Sequence, residues 1–538
     1  MKYTGWIWRN SRCIRWSMLA RIVAGTAQVA FGLLMVWLSR RFIDETIISG
    51  TARDVTVMIL WLVLTVVGRV LCRQIAYLLT TAAGVRLTNK LRLRMYSSLF
   101  RRQLYSGKDI HSGDVSYRLT KDITEVSNTM TDTIPLILVT VIQLTGAFLL
   151  LRYFDRWLAW ALLILTPFVI ILTKFAGRKL RQMTLDIRQD ESRIQMHVQE
   201  GSENNAVLRA MGSEEWITDR LDTMQQQLKG DVMRRTRFTI AMRTAMGLTF
   251  GLGYLLAFVW GGLQLRNGAI TFGIMTSFLQ LVGQIQQPVL SILNMGSQLF
   301  HSAASMDRLM ELESLGNAPE ESMLHPTLSG LRFDGVSFRY EDGDRQLFSG
   351  FSHDFAPGSK TALMGETGAG KTTLFRLMLG FIKPDSGSIS LYGSDGSVTV
   401  GAETRPDFVY VPQGNTLMSG TIRFNLQVAD PKADDKQLEE VLHVACADFV
   451  KDLPEGLDTT LGERGSGLSE GQAQRIAIAR GLLRPGSVLL LDEISSSLDA
   501  DTESELYRRL FAYRPSKTMI FITHRAGVTG LCDSVITL

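Results

Sequence analysis

Gly365-Glu366-Thr367-Gly368-Ala369-Gly370-Lys371-Thr372 is the stretch that decides how the C-terminal half of this 538-residue chain is read. It fits the pattern G-x-x-x-x-G-K-[ST], in which glycines, lacking a Cβ, let successive backbone N–H groups turn inward on the phosphates of a nucleotide. In that pattern Lys371 reaches the β- and γ-phosphates, and Thr372 offers a hydroxyl to Mg²⁺. The surroundings agree. Thr361-Ala362-Leu363-Met364 reads as a short buried strand, and the residues from Thr373 to Leu379 read as a helix that presents its N-terminus to the phosphates. Gly365 to Thr373 is therefore the candidate triphosphate loop.

From about residue 328 onward, strand-like and helix-like stretches alternate, as expected of an α/β domain with a mainly parallel sheet. Val488-Leu489-Leu490-Leu491 is an uninterrupted apolar run, the mark of a strand covered on both faces. Asp492 and Glu493 follow at its carboxyl end, where ligands of such sheets bind. Asp492 is suited to hold Mg²⁺, directly or through water, and Glu493 to polarise a water for in-line attack on a γ-phosphate. A base of this kind contributes roughly 10²–10⁴ in rate. His524 follows the apolar Ile520-Phe521-Ile522-Thr523 and is placed to donate to the γ-phosphate. Tyr340 either stacks on adenine or packs at a strand edge. Leu468-Ser469-Glu470-Gly471-Gln472 opens a helix that runs to Leu483, and local capping by Ser469 is a sufficient reason for that pattern.

The N-terminal half is of another kind. The whole chain is 46% hydrophobic and 20% charged, with a mean hydropathy of +0.10, too apolar for a wholly soluble enzyme and too charged for a wholly embedded one. Six apolar segments, near residues 20–42, 55–80, 133–151, 157–174, 243–264 and 272–294, each approach the ~20 residues that cross a bilayer as a helix. Short connections join them in pairs, and two long, Arg- and Lys-rich loops join the pairs. The positive-inside rule puts both loops and both termini in the cytoplasm. Helical apolar spacing persists through these loops, so the membrane helices are expected to continue beyond the bilayer to polar tips near Asp109–Gly113 and Glu200–Asn205. Residues 1–16 carry Trp6, Trp8 and Trp16 among basic residues and no cleavage pattern, which reads as an interface-lying lead-in.

Polar groups inside the apolar segments carry what substrate information there is. Ser277, Gln280, Gln284, Gln287 and Ser291 share one helix face, and Arg69 and Arg73 stand one turn apart. Either set lines a substrate path or makes hydrogen bonds between helices. Pro288 is expected to kink the last helix. A net charge of +5, spread between apolar stretches, gives no reason to invoke nucleic acid. The four cysteines show no ligand spacing and read as reduced structural thiols. The expected division is a membrane domain over 1–312, a linker over 313–327 and a soluble domain over 328–538.

Taken together, the triphosphate loop, Gln413 in Val411-Pro412-Gln413, Leu468 to Gln472, Asp492-Glu493, Ser496-Ser497-Leu498-Asp499 and His524 resemble the ordered motif set of the ABC (ATP-binding cassette) ATPases. The six preceding helices resemble the exporter branch in half-transporter form. The fold so implied is an all-α six-helix transmembrane domain followed by an α/β P-loop NTPase domain. The resemblance implies that Gln413 contacts Mg²⁺ or the attacking water. It implies that Ser469, Gly471 and Gln472 close on ATP held by a partner subunit, with Asp499 in the loop crossing that interface. It also implies that Thr460 to Gly465 touches the cytoplasmic loops, whose polar tips act as coupling helices. Two departures stand out. Position 470 is Glu where the family usually has Gly, and the chain stops at Leu538 where relatives continue for a few more elements, which bears on C-terminal packing rather than chemistry.

The function expected from this is ATP-driven export of a lipid, peptide or amphipathic drug-like compound. The simplest assembly is a homodimer, with a heterodimer beside a related half-transporter open, in a bacterial inner membrane with the cassette cytoplasmic. An ATP-gated channel or regulatory membrane protein is the alternative from another class.

Overall fold

The computed structural model describes residues 2–100, 112–314, 324–340, 346–366, 368–462 and 465–538. The chain divides into two compact units, one of residues 1–96 and 115–311, the other of residues 97–114 and 312–538.

The first unit is helical. After α1 (Lys2–Asn10) come α2 (Arg15–Arg41), extended to Ser49 through a π-helical turn at Phe42–Thr46, and α3 (Ala52–Phe100). The third run, from Ser112, passes through π-helical turns at Arg118–Asp122 and Thr129–Thr133 into α4 (Ile134–Phe154). Then follow α5 (Arg156–Glu203), the short α6 (Asn205–Met211), α7 (Glu214–Arg266) and α8 (Phe272–Ser314). Six long runs therefore carry the six apolar segments. Among the described residues, four of them are long and apolar enough to cross a membrane: Arg15–Ser49, Ala52–Phe100, Gly113–Phe154 and Glu214–Arg266. The 49 residues of α3 extend about 74 Å at 1.5 Å per residue, more than twice a ~30 Å hydrocarbon core, so the helix continues well past the bilayer.

Apolar packing of Val36, Leu151, Leu158, Ala257, Phe278 and Leu281 joins five of these runs. Carboxylates tie their turns. Asp155 caps α5 through the Leu158 N–H (2.9 Å) and accepts the indole N–H of Trp260 (3.0 Å). Asp44 accepts from Thr271 Oγ1 (2.5 Å) and from the Gly273 N–H (2.8 Å) at the start of α8. A Cβ at position 273 would stand 2.6 Å from that carboxylate, so any larger residue there would have to displace it.

Elsewhere in this unit the ties become ion pairs. Arg21 donates to Thr80 Oγ1 (2.6 Å) and pairs with Asp132. Asp122, only 2% exposed, accepts from Ser305 (2.9 Å) and twice from Arg308 (2.7 and 2.6 Å). Arg118 reaches Glu311 (3.0 Å). Burying a carboxylate this fully is tolerable only because three donors face it.

The polar face expected on α8 is split. The Ser277 hydroxyl turns into its own helix, onto the Gly273 carbonyl (2.8 Å), Gln284 donates to the Gly32 carbonyl (3.3 Å), and Gln280 is exposed. The side chain of Gln287 lies outside the described residues, and the helix runs on through Pro288. Of the two expected tips, residues 109–111 also lie outside them. At the other, α5 persists to Glu203 and the separate short helix follows at Asn205–Met211, so the tip reaches further along the chain than its polar sequence indicates.

In the second unit, β1 (Leu328–Phe338), β2 (Phe348–Phe355), β4 (Ser386–Gly393) and β5 (Gly396–Thr399) make an antiparallel sheet in the order β2-β1-β4-β5. β3 (Lys360–Met364), β6 (Phe408–Val411), β7 (Val488–Asp492), β8 (Thr518–Ile522) and β9 (Ser534–Thr537) make a parallel sheet in the order β9-β3-β8-β7-β6. Its central strands alternate between two cores: Leu489, Leu491, Met519 and Phe521 point to one, Val488, Leu490, Ile520 and Ile522 to the other. That double burial is why Val488 to Leu491 carries no polar residue. Helices α9 (Lys371–Met378), α10 (Glu470–Leu482) and α11 (Ala500–Tyr513) leave from the carboxyl side of this sheet or return to it.

We predict an asymmetry at the Asp122 pair. Arg308→Ala leaves a buried carboxylate short of its main partner and should cost about 3 kcal/mol, whereas Asp122→Asn leaves an arginine able to reach water and should cost about 1 kcal/mol. Thermal unfolding of the two variants in lipid discs checks this; equal losses would contradict it.

Candidate active site

The parallel register fixes the site. Ile522 is level with Leu363 on one side and with Asp492 on the other, so β3, β8 and β7 stop together, and the segments after them emerge at one edge. Those segments are the triphosphate loop, His524 and Glu493.

In the loop, Gly365, Gly368 and Gly370 have φ of 147°, 87° and 102°, values that favour glycine. Gly370 leads into α9, and a Cβ on it would stand 3.0 Å from the ring of Phe348. Ala369 and the exposed Glu366 complete the described part, and Thr367 lies outside it. Lys371 is buried along its stem, and its ammonium donates to the carbonyls of Gly365 (2.5 Å) and Glu366 (3.2 Å) and lies 3.0 Å from His524 Nε2. A phosphate entering this loop therefore meets a cation already held over it. Thr372 is exposed in the first turn of α9, whereas Thr373 is buried and meets the Tyr340 hydroxyl (3.3 Å). Tyr340 also accepts from Arg376 (2.9 Å) and packs edge-on against Phe338.

Asp492 is 4% exposed, and burial, with the Glu493 charge beside it, pushes its carboxyl up to about 6 against the opposing pull of Lys371 and Arg376. Glu493 turns the chain with φ of 47°, a left-handed conformation for a non-glycine residue. It is held there by its N–H on the Ile522 carbonyl (3.0 Å) and by Gln474, which donates to its carbonyl (2.9 Å). Its carboxylate accepts from Gln413 (2.6 Å), and His524 Nε2 stands 3.5 Å away. Lys371, Gln413, Glu493 and His524 thus form one connected group.

Ser469, Gly471, Gln472 and Asp499 belong to a neighbouring arrangement. Ser469 caps α10 by accepting from the Gln472 N–H (3.2 Å), and Gln472 Oε1 accepts from the Ser469 N–H (2.9 Å). Glu470 points to solvent in the first turn. A Cβ on Gly471 would meet the Ser497 carbonyl at 2.8 Å, so glycine lets the segment 496–498 lie against this helix. Asp499 caps α11 through the Thr502 N–H (2.9 Å), which holds its carboxyl below the usual range. Among the described residues, none of these side chains bonds the loop 365–373 of its own chain.

Three bracing residues escaped the sequence reading. Gln474, 1% exposed, links the Glu493 carbonyl to Ser497 Oγ (3.2 Å). Arg525 holds the carbonyls of Ser496 (3.0 Å) and Leu498 (3.1 Å). Arg480 holds Thr416 just past Gln413 (3.1 and 2.7 Å). The one sequence signal for Gln474 is an amide on the apolar face of a helix rich in Ala and Ile.

Comparison with known proteins agrees with this geometry. Residues 18–289 match the ABC transporter transmembrane region, and residues 348–496 match the ABC transporter family. The chain is 26% identical over 529 residues to an ATP-dependent lipid A-core flippase of Chromobacterium violaceum, covering 97% of this chain and 89% of that one. It is 27% identical over 429 residues to a fatty acid ABC transporter ATP-binding/permease protein of Mycobacterium bovis, covering 79% and 68%. The fold resembles a bacterial Atm1-family ABC exporter with ATP bound, with a TM-score of 0.81 and 22% identity over 96% of this chain and 93% of that one. Membrane helices and a nucleotide-binding ATPase in one polypeptide, with the matches to both halves, place this chain in the ABC transporter family, as a multi-pass membrane protein that couples ATP hydrolysis to export.

Proposed function

We propose that the chain works as a homodimer that exports an amphipathic compound (a lipid, a peptide or a drug-like molecule) from the inner leaflet of a bacterial inner membrane. The division is the one expected from sequence: membrane domain 1–312, linker 313–327, cytoplasmic cassette 328–538. The observation that carries this reading is the convergence of Lys371, Gln413, Glu493 and His524 at the shared edge of β3, β7 and β8.

In this reading the backbone N–H groups of Gly365 to Thr373 and the Lys371 ammonium bind the β- and γ-phosphates of ATP. The ammonium exchanges the loop carbonyls for phosphate oxygens, and Tyr340 borders the base. Glu493 orients and polarises the attacking water. His524 donates to the γ-phosphate, and Gln413, already on Glu493, senses whether that phosphate is present. Thr372 and Asp492, with Gln413 beside them, are the oxygen donors suited to Mg²⁺, which when bound neutralises charge on the phosphates. Ser469, Gly471, Gln472 and Asp499 act on ATP held by a second copy, which accords with their lack of bonds to their own loop. Two such composite sites close two cassettes together. Shifting a two-state transporter from 1:99 to 99:1 takes a preference of about 5.5 kcal/mol, within reach of two triphosphates bound in this way.

The test is ATP hydrolysis by the purified chain in lipid. Glu493→Gln should lower the rate by roughly 10²–10⁴ and leave ATP binding intact. A variant that hydrolyses at the wild-type rate would remove Glu493 from this role.

A second outcome follows from Asp492. Its carboxyl titrates near 6 in the folded chain and near 3.8 when unfolded, so between those values the folded state holds a proton that the unfolded state has lost. Stability without nucleotide or metal should therefore be greatest below about pH 4 for this group and decline as pH rises through about 6, by on the order of 1–3 kcal/mol. The decline should vanish in Asp492→Asn. Melting curves of both proteins across that range check it, and parallel curves would contradict it.

A further inference from the structure

Thr373 and Arg376 stand three residues apart on α9, so their side chains share one face of the helix that starts at Lys371. The residues around Arg376 on this helix, among them Phe375 and Leu377, are buried, whereas Arg376 itself is partly exposed. Its guanidinium does not simply turn out to solvent. It donates to the Tyr340 hydroxyl (2.9 Å), and that hydroxyl lies 3.3 Å from Thr373 Oγ1.

The aromatic side of this group is braced as well. Tyr340 packs edge-on against Phe338, with 4.9 Å between ring centres. Phe338 is level with Phe348 across the β1–β2 ladder, and the Phe348 ring lies 3.0 Å from where a Cβ on Gly370 would stand. The end of β1 is thereby packed against the triphosphate loop, and the Tyr340 hydroxyl is presented to α9.

Donor counting gives the three groups a direction. A guanidinium has only protons to give, so the Tyr340 oxygen accepts from Arg376. An oxygen that accepts from a cation becomes a stronger donor and a weaker acceptor, so the phenol proton goes to Thr373 Oγ1. Thr373, as the acceptor, keeps its own proton to give away. Among the described residues no other side chain takes it. Thr373 ends the triphosphate loop two residues beyond the lysine, on the side where Tyr340 borders the base.

We propose that Arg376 is a positioning residue for the nucleotide: acting through the Tyr340 hydroxyl, it turns the Thr373 hydroxyl outward as a donor to the phosphate nearest the base. The inference rests on the ATP-binding reading of this site and adds a link between its base side and its phosphate side. Without the guanidinium the phenol and the threonine can exchange roles, and the phosphate loses an oriented donor.

The test is ATP binding and steady-state hydrolysis by the full chain in lipid, with tripolyphosphate as a competitor that has no base. Tyr340→Phe keeps the ring and removes the hydroxyl, and Arg376→Met keeps the stem and removes the donors. Each should raise KM for ATP and Ki for tripolyphosphate by about three- to tenfold, with a smaller change in kcat. Because both act through one hydroxyl, the double variant should bind no worse than the weaker of the two single variants. Arg376→Lys, which still carries a donor, should recover part of the loss. A merely structural role would lower Tm and kcat and leave KM and Ki in place. That result would overturn the proposal, as would a wild-type KM in Tyr340→Phe, losses that multiply in the double variant, or a loss seen with ATP and not with tripolyphosphate. A wild type that binds neither ATP nor tripolyphosphate would overturn both this inference and the reading on which it rests.

Discussion

Three parallel strands that end at the same level hold the rest of the cassette in place. Because Leu363, Ile522 and Asp492 are in register, a loop that turns toward phosphate, a histidine and a glutamate leave one sheet edge within hydrogen-bonding reach of one another. The register also explains the strain at Glu493. Its left-handed backbone costs on the order of 1–3 kcal/mol, and it is held by a strand carbonyl on one side and the buried amide of Gln474 on the other. Gln413, itself positioned by a segment that Arg480 grips, then has a fixed carboxylate to meet. Gln413, in a segment outside the phosphate loop, is thereby joined to the Glu493 carboxylate.

The membrane unit obeys a different constraint, the cost of burying charge. Its arginines are neutralised where they join one helical run to another, as Asp122 joins the third run to α8. Arg118 and Asp122 flank and close one π-helical turn, a bulge that re-aims side chains toward α8.

Much of this was legible in the sequence because the signals are local. A phosphate loop is defined by backbone freedom and one lysine, and a doubly buried strand by an apolar run, so Gly365 to Thr373 and Val488 to Glu493 could be placed without tertiary information. Capping was legible for the same reason: Ser469 and Gln472 satisfy one another in the way their spacing indicates. What stayed hidden depends on packing between distant segments. Gln474 and Arg525 look like ordinary helix and loop residues until the segment 496–498 is seen to lie against them. For Tyr340, the sequence left stacking and packing open, and its hydroxyl proves to be shared between Thr373 and Arg376. The second hairpin tip was placed at its most polar residues, yet helix α6 begins where those residues end, because polarity marks exposure and not the point of turning.

The central claim is that each ATP site is built from the loop of one chain and the Ser469–Gln472 segment of another. The most direct measurement co-expresses two differently tagged variants, Lys371→Ala and Gly471→Val, purifies the mixed dimers and assays their ATP hydrolysis in lipid. Each variant alone has no intact site, but a mixed dimer has one site assembled from an intact loop and an intact partner segment. Hydrolysis by mixed dimers well above either parent is the predicted result. Mixed dimers as silent as the parents, with ATP still bound, would contradict the composite site.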